Sequence, residues 1–226
     1  MRPSRAALSH EPDTSVADWF VGADAPAQVL AVQGPPGYDA YATVHFDGAG
    51  DTAAGTGYRS DPALVALVTR LCANHTATPD DVVYGLWEGW GEIDGGDARL
   101  LGVDVRYRVL PRLFRPHPGP ATPAAFEPRV VDAPRVDLGG LRSYLLFRGS
   151  LAQVGEWGAR PLAPGWPRTL PQASLTWPAD RAWFIASDVD PSWFTVAGSR
   201  ELIDLLLGRT DLVVSVARYG DPKEPT

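Results

Sequence analysis

Short runs of apolar residues, separated by turns, predict more strands than helices in this chain. Residues two apart on a strand point to the same face, so alternation of apolar and polar residues predicts a strand with one solvated face. Residues 100–110 show this alternation, whereas other runs are apolar throughout and predict buried strands. The predicted strands are residues 28–32, 41–46, 82–87, 100–110, 143–148, 181–189, 194–196 and 212–216. Since residues 34–37 read Gly-Pro-Pro-Gly, we expect the first two strands to pair antiparallel across this turn.

Three segments carry the signals of helices. Residues 60–62 read Ser-Asp-Pro, a capping side chain followed by a proline that suits the first turn, and apolar residues follow at helical spacing. Ser199 caps a second predicted helix, which is rich in leucine and which Gly208 is expected to end in the left-handed conformation. Ser150 caps a third, shorter helix.

The order of these elements predicts the fold class and a single domain. Strands outnumber helices and do not alternate with them, which favours an α+β fold, mainly an antiparallel sheet with two or three short helices packed on it. We expect this domain to span residues 16–217, between a flexible N-terminus (residues 1–15) and a flexible tail (residues 218–226). Seven prolines in residues 111–134 interrupt regular structure, and we interpret them as a surface excursion, with an inter-domain linker as the alternative. Residues 159–178 are interpreted as another loop, rich in Pro, Gly and Trp.

Charge and composition narrow the classes of partner. The formal net charge of −7 argues against a surface for duplex nucleic acid, which would normally be basic. Cys72 is the only cysteine, so an internal disulfide and a cysteine-rich zinc site are excluded, and we interpret Cys72 as part of the core. No apolar run approaches the roughly 18 residues of a membrane span, and residues 1–15 lack the apolar segment of a secretory signal. We therefore expect a cytoplasmic protein that binds neither nucleic acid nor membrane.

Common catalytic motifs are missing from the chain. It contains no G-x-x-x-x-G-K-[ST], no G-x-G-x-x-G after a strand, no G-x-S-x-G elbow and no H-E-x-x-H. Nucleotide-dependent, hydrolase and zinc activities are therefore less favoured. We expect no cofactor and no metal, and we assign no catalytic residue.

The segment from residue 177 to residue 193 has the highest density of candidate site residues. Asp188 and Asp190 are two apart, so on a strand both carboxylates would face one side and could meet a hard cation. However, Asp190-Pro191 also fits a type I turn, in which aspartate binds its own backbone, and we favour this structural interpretation. Asp180 and Arg181 lie between two tryptophans. They fit either an anion or guanidinium contact beside an aromatic wall, or an arginine that stacks on tryptophan and is held by a nearby carboxylate, and we favour the latter.

A second candidate region follows the predicted strand 82–87. Trp87-Glu88-Gly89-Trp90 combines glycine, which lets a ligand approach closely, with a carboxylate that could accept a proton or a cation. Tryptophans at the end of a strand also commonly cover the core, and this packing interpretation is favoured. If the protein has a pocket, we expect it here.

Five segments, spread over most of the chain, support a resemblance to a known family. They read GPPGYDAYA at 34–42, HTATP at 75–79, LWEGWG at 86–91, YLLFRG at 144–149 and WPADRAWFIASDVDP at 177–191. Together they resemble a family of uncharacterised proteins that is common in actinobacteria, which implies no particular activity. The end of the chain, a strand pair leading into a short helix, is similar to bacterial immunity proteins related to the SMI1/KNR4 superfamily.

The sequence leaves two functional hypotheses. The first is a non-catalytic binding or interaction protein, in an immunity or regulatory role, with Trp87, Trp166 and Trp193 as anchors for a protein partner. The residues expected to bind are Trp87, Glu88, Trp90, Asp180, Arg181, Asp188, Asp190 and Trp193. The alternative is a metal-dependent or acid/base enzyme whose carboxylates converge in one cavity. These carboxylates would be Glu88, Asp180, Asp188 and Asp190. The oligomeric state is not determined by the sequence.

Overall fold

An antiparallel sheet of nine strands organises the part of the chain that the structure describes, as the α+β prediction required. This computed structural model describes residues 7–46, 61–95, 123–163 and 165–221. The strands are β1 (Ser9–His10), β2 (Ala40–His45), β3 (Val82–Trp87), β4 (Val136–Asp137), β5 (Ser143–Gly149), β6 (Leu175–Pro178), β7 (Phe184–Ala186), β8 (Trp193–Gly198) and β9 (Val214–Ala217). Their order across the sheet is β1-β5-β3-β6-β7-β8-β2-β9, and β4 also pairs with β5. The predicted strand at 100–110 lies outside the described residues.

Six α-helices accompany the sheet within the described ranges. They are α1 (Asp18–Val21), α2 (Ala27–Gln33), α3 (Pro62–Leu71), α4 (Gly91–Asp94), α5 (Pro128–Val131) and α6 (Arg200–Leu207). Only α2, α3 and α6 exceed one turn. Short 3₁₀ helices add Thr14–Ala17, Cys72–His75 and Leu151–Gln153. In the part of the chain that is described, no helix has the length and apolar content to cross a membrane.

The sheet separates two apolar cores, because successive side chains of a strand point to opposite faces. The first core combines side chains of α3 and α6, such as Val68 and Leu202, with strand side chains such as Tyr84 and Phe147. On the second face, α1 and α2 cover side chains such as Trp177 and Phe184. Cys72 is fully buried in the first core, as predicted, and burial raises the pKa of its thiol.

The prediction of a strand at residues 28–32 is wrong, because these residues belong to helix α2. Leu30 and Ala31 are buried against the second face of the sheet, and Gly34 follows with a φ of 76°. Strand β2 therefore pairs with β8 and β9 rather than with residues 28–32. A short run that is apolar throughout has no periodicity to distinguish a helix from a strand.

The described ends of the chain contact neighbouring elements. At the N-terminal end, β1 pairs with β5 and Leu8 is buried. At the C-terminal end, the hydroxyl of Tyr219 donates to the carbonyl of Gly34 at 3.1 Å, and Gln33 accepts from the N–H of Gly220 at 2.7 Å. Residues 1–6 and 222–226 lie outside the described residues, and the flexibility of both ends stays a prediction.

Several element boundaries also differ from the predictions. The loop predicted at 159–178 ends in strand β6, and the strand predicted at 181–189 is limited to β7. The helix after Ser150 is only the 3₁₀ turn Leu151–Gln153. Helix α5 lies within the proline-rich region. It is compatible with proline because Pro128 occupies its first turn, where proline is tolerated. Residues 111–122 of that region lie outside the described residues. Gly208 follows α6 with a φ of −76°, so it is not left-handed.

Candidate functional site

One end of the sheet brings together several of the predicted site residues. Trp87 is the last residue of β3 and lies opposite Tyr144 on β5. Asp188 follows the end of β7, and Trp193 begins the antiparallel neighbour β8. Antiparallel register therefore places these residues at the same end of the sheet. Trp193 is half-buried there, opposite His45 on β2.

Arg142, immediately before β5, binds both aspartates at this end. Its Nε and Nη2 donate to the two carboxylate oxygens of Asp188 at 2.9 and 3.2 Å, and Nη2 also donates to Asp190 at 2.6 Å. The side chains of Arg142 and Asp188 are only 17% and 7% exposed. The hydrogen bond with Asp188 is the main reason that the pKa of Arg142 lies above its usual value.

The arginine also contacts the ring of the tryptophan beside it. Its guanidinium carbon lies 5.3 Å from the centroid of the Trp87 ring, which is within the range of a cation–π contact. The carboxylates of both aspartates are therefore bound by Arg142, whereas the favoured interpretation placed an aspartate in contact with its own backbone. No group of three or more His, Cys, Asp or Glu side chains suited to a metal ion occurs within the described residues.

Glu88 and Trp90 pack around the end of β3. The N–H of Glu88 donates to the carbonyl of Ser143 at 3.0 Å, and its carboxylate lies 3.3 Å from the Nε of Arg135. The rings of Trp90 and Trp87 meet edge to face, with centroids 5.4 Å apart. A Cβ on Gly89 would overlap the Trp87 ring, so this glycine makes room for the indole. The geometry matches the interpretation of these tryptophans as a cover of the core.

Asp180 lies at the other end of the sheet, where its carboxylate joins two loops. It accepts from the hydroxyl of Thr76 at 2.8 Å and from the N–H groups of Ala77 and Ala182 at 2.7 and 3.1 Å. Burial acts to raise the pKa of Asp180, but these hydrogen bonds outweigh it, and the pKa lies below its usual value. The nearby pairing of Pro178 with Val82 fixes this position at the start of β3, away from Trp87.

Arg181 stacks on a tryptophan, although the ring is not one of the two neighbours in sequence. Its guanidinium carbon lies 4.8 Å from the centroid of Trp19. The residue has a backbone φ of 57°, which is unusual for a residue other than glycine. The predicted binding residues thus fall into two groups at opposite ends of the sheet. Asp180 and Arg181 form one group, and the other contains Trp87, Glu88, Trp90, Asp188, Asp190 and Trp193.

A cleft of about 940 Å³ opens elsewhere, beside the edge strand β1. Its floor contains Phe126, Phe147 and Trp157, whose rings contact one another at centroid distances of 5.0 and 5.1 Å. Arg129 and Arg160 also line it, and both are exposed. Sequence reasoning missed this cleft, because it is built from segments that are distant along the chain.

Residues 160–163 and 165–168, which we name the tryptophan hairpin, lie beside this cleft, and Arg160 belongs to both. The N–H of Leu162 donates to the carbonyl of Trp166, and the N–H of Trp166 donates to the carbonyl of Ala163, both at 2.9 Å. Arg168 fastens the base, since it donates to the carbonyls of Arg160, at 3.0 Å, and of Pro123. Trp166 is 70% exposed at the tip. The sequence identified Trp166 as an anchor but gave no sign that it is more exposed than Trp87 or Trp193.

The comparisons with known proteins assign no family to this chain. No family model, no curated protein and no solved structure matches it. Its function therefore has to be inferred from its own residues, among which the tryptophan hairpin is the most exposed aromatic feature described.

Proposed function

We propose that this protein is a non-catalytic binding protein that acts as an immunity or regulatory partner of another protein. The observation that supports this proposal is the 70% exposure of Trp166 at the tip of the tryptophan hairpin. A tryptophan can bury roughly 150–250 Å² of surface, and tryptophans are enriched among the residues that dominate binding energy. Leu162, also exposed, extends the apolar tip. Such a tip contributes little to folding and is suited to a partner.

Hydrogen bonds within the hairpin and at its base also support a role in binding. Hydrogen bonds between Leu162, Ala163 and Trp166 fix the tip, and Arg168 ties the base to Pro123 and Arg160. A loop that is already ordered loses less conformational entropy when it binds. The backbone of Trp166 is therefore held in place before the partner arrives.

The enzymatic alternative lacks the convergence that it requires. Asp180 lies at the opposite end of the sheet from Glu88 and Asp188, and its oxygens already accept hydrogen bonds from Thr76 and Ala77. The carboxylate of Asp188 is bound by Arg142 through both oxygens. We therefore do not propose an activity built on these carboxylates.

Site-specific photo-crosslinking in the native cells tests the proposal. With p-benzoylphenylalanine in place of Trp166, we expect one discrete adduct with another protein after irradiation. The matched control carries the same residue in place of Leu205, an exposed apolar side chain on α6. Absence of an adduct at position 166, or the same set of adducts from both positions, would contradict a binding role for the hairpin.

A further inference from the structure

Arg160 connects the tryptophan hairpin to the cleft beside β1. Its N–H donates to the carbonyl of Ala125 at 2.7 Å, and its own carbonyl accepts from Arg168 at 3.0 Å. These backbone contacts fix its position, while its exposed side chain lines the cleft. Within the described residues, no carboxylate forms an ion pair with Arg160. The junction therefore presents a cationic side chain on a fixed backbone, and no described carboxylate forms an ion pair with it.

The other arginine of the cleft is neutralised. Arg129 forms an ion pair with Glu127 at 2.8 Å. Asp132 also lines the cleft and follows α5, the helix that carries Arg129. An incoming carboxylate would be repelled on that side and attracted at Arg160. The charges of the lining thus select one position for an anionic group.

The floor of the cleft is suited to an apolar group. Phe126, Phe147 and Trp157 form its aromatic part, next to the apolar side chains of Leu8 and Val130. A volume of about 940 Å³ lies within the range of about 300–1,000 Å³ that is typical of ligand pockets, so a large side chain fits. Leu162 and Trp166 are exposed apolar side chains of the tryptophan hairpin, whose first residue, Arg160, lines the cleft.

We propose that the tryptophan hairpin and this cleft bind an acidic peptide segment of the partner protein. A carboxylate of the segment pairs with Arg160, an apolar side chain enters the cleft, and Trp166 packs against the flanking residues. The guanidinium fork favours a carboxylate through two parallel hydrogen bonds. This inference rests on the proposed function, since it specifies the chemistry of the partner.

Selection from a random dodecapeptide phage library against the 226-residue chain tests the inference. We expect enriched peptides that combine Asp or Glu with an aromatic residue or leucine. An enriched peptide, measured by fluorescence anisotropy, should bind at least tenfold more weakly to Arg160→Ala, Arg160→Gln and Trp166→Ala. Its amide counterpart, with Asn and Gln for Asp and Glu, should lose binding to the same extent. Arg209→Ala removes an arginine that is paired with Asp211 and should leave binding unchanged.

Three results would overturn the inference. The first is a selection that enriches no peptide, or that enriches peptides without acidic residues. The second is an enriched peptide that binds Arg160→Ala as tightly as the unmodified protein. The third is sedimentation with phosphatidylglycerol vesicles that Trp166→Ala abolishes, which would identify a membrane surface as the target. If the adduct at position 166 persists while Arg160 has no effect, the binding function stands and the acidic partner is wrong. If neither adduct nor peptide is found, both fail, provided that circular dichroism shows folded variants.

Discussion

Arg142 shows how one side chain determines what two neighbouring carboxylates can do. Its guanidinium occupies both oxygens of Asp188, whose side chain is 7% exposed. A charge at this depth has lost most of its hydration and depends on its partner. Asp190 accepts from the same guanidinium but is 80% exposed, so water can replace that contact. The two aspartates therefore depend on Arg142 to very different degrees.

Replacement of Arg142 by alanine should destabilise the fold strongly. Because Asp188 would remain buried without a counter-charge, we expect a loss of about 3–5 kcal/mol in the free energy of unfolding, measured by urea titration. Asp190→Asn is the matched comparison and should cost at most about 1 kcal/mol, as is typical of exposed ion pairs.

A double replacement separates the ion pair from the packing. Arg142→Met combined with Asp188→Leu removes both charges and should recover most of the stability lost in Arg142→Ala. Equal losses for Arg142→Ala and Asp190→Asn would show that the burial of Asp188 does not determine its dependence on the arginine.

The sequence favours a structural interpretation of these aspartates, but it does not indicate which residue binds them. An Asp-Pro pair favours a turn regardless of tertiary structure. Arg142 is 46 positions from Asp188, and only the folded sheet brings them together. The same limit applies to Arg181, for which stacking was predicted but the partner Trp19 was not. Local chemistry can be inferred from neighbouring residues, whereas partners that are distant in sequence require the fold.

At the scale of elements, Gly34 lets the end of helix α2 pack closely against Phe184 in the second core. It has a φ of 76°, and a Cβ at this position would lie 2.5 Å from the ring of Phe184, which is fully buried. Gly34→Ala should therefore incur backbone strain and also displace a packed ring. Gly140 has the same φ, and a Cβ there would meet nothing within 4 Å. Gly140→Ala is thus a control in which the substitution strains the backbone without displacing a neighbouring side chain.

We expect Gly34→Ala to be less stable than Gly140→Ala by about 1–3 kcal/mol, the usual cost of overpacking a core. Thermal or urea unfolding of the two variants measures this difference directly. Similar stabilities would mean that Phe184 moves aside without cost, and the close approach of α2 to β7 would not require glycine.

Helices α2 and α6 show why one element was predicted and the other was not. In α6, the hydroxyl of Ser199 accepts from the N–H of Leu202 at 3.2 Å, and apolar residues recur on one stripe. Helix α2 has no side-chain cap, and its apolar residues show no clear helical or strand periodicity. Its contacts in the folded protein therefore determine that it is a helix. Strand β6 was hidden for a related reason, since Pro178 made it resemble a loop although proline is tolerated at the end of a strand.

At the scale of the molecule, the sheet separates the carboxylates that an enzyme would need together. Asp180 and Asp188 are eight residues apart, and an extended chain of this length spans up to roughly 26 Å. Their separation was therefore implicit in the predicted strand at 181–189. The exposure of Trp166 and the cleft beside it were not predictable, because they depend on how distant loops meet at the surface.

The two cores share strands β2, β3, β5, β7 and β8, so they should unfold together. Strand β7, for example, contributes Ile185 to the first core and Phe184 to the second. Leu30→Ala, on α2, and Leu202→Ala, on α6, each remove a buried side chain from one core and should cost about 2–5 kcal/mol. Both variants should show one urea transition, with unchanged slope and with coincident circular dichroism and tryptophan fluorescence. An early transition in Leu30→Ala that leaves the first core intact would show that α1 and α2 form a separate unit.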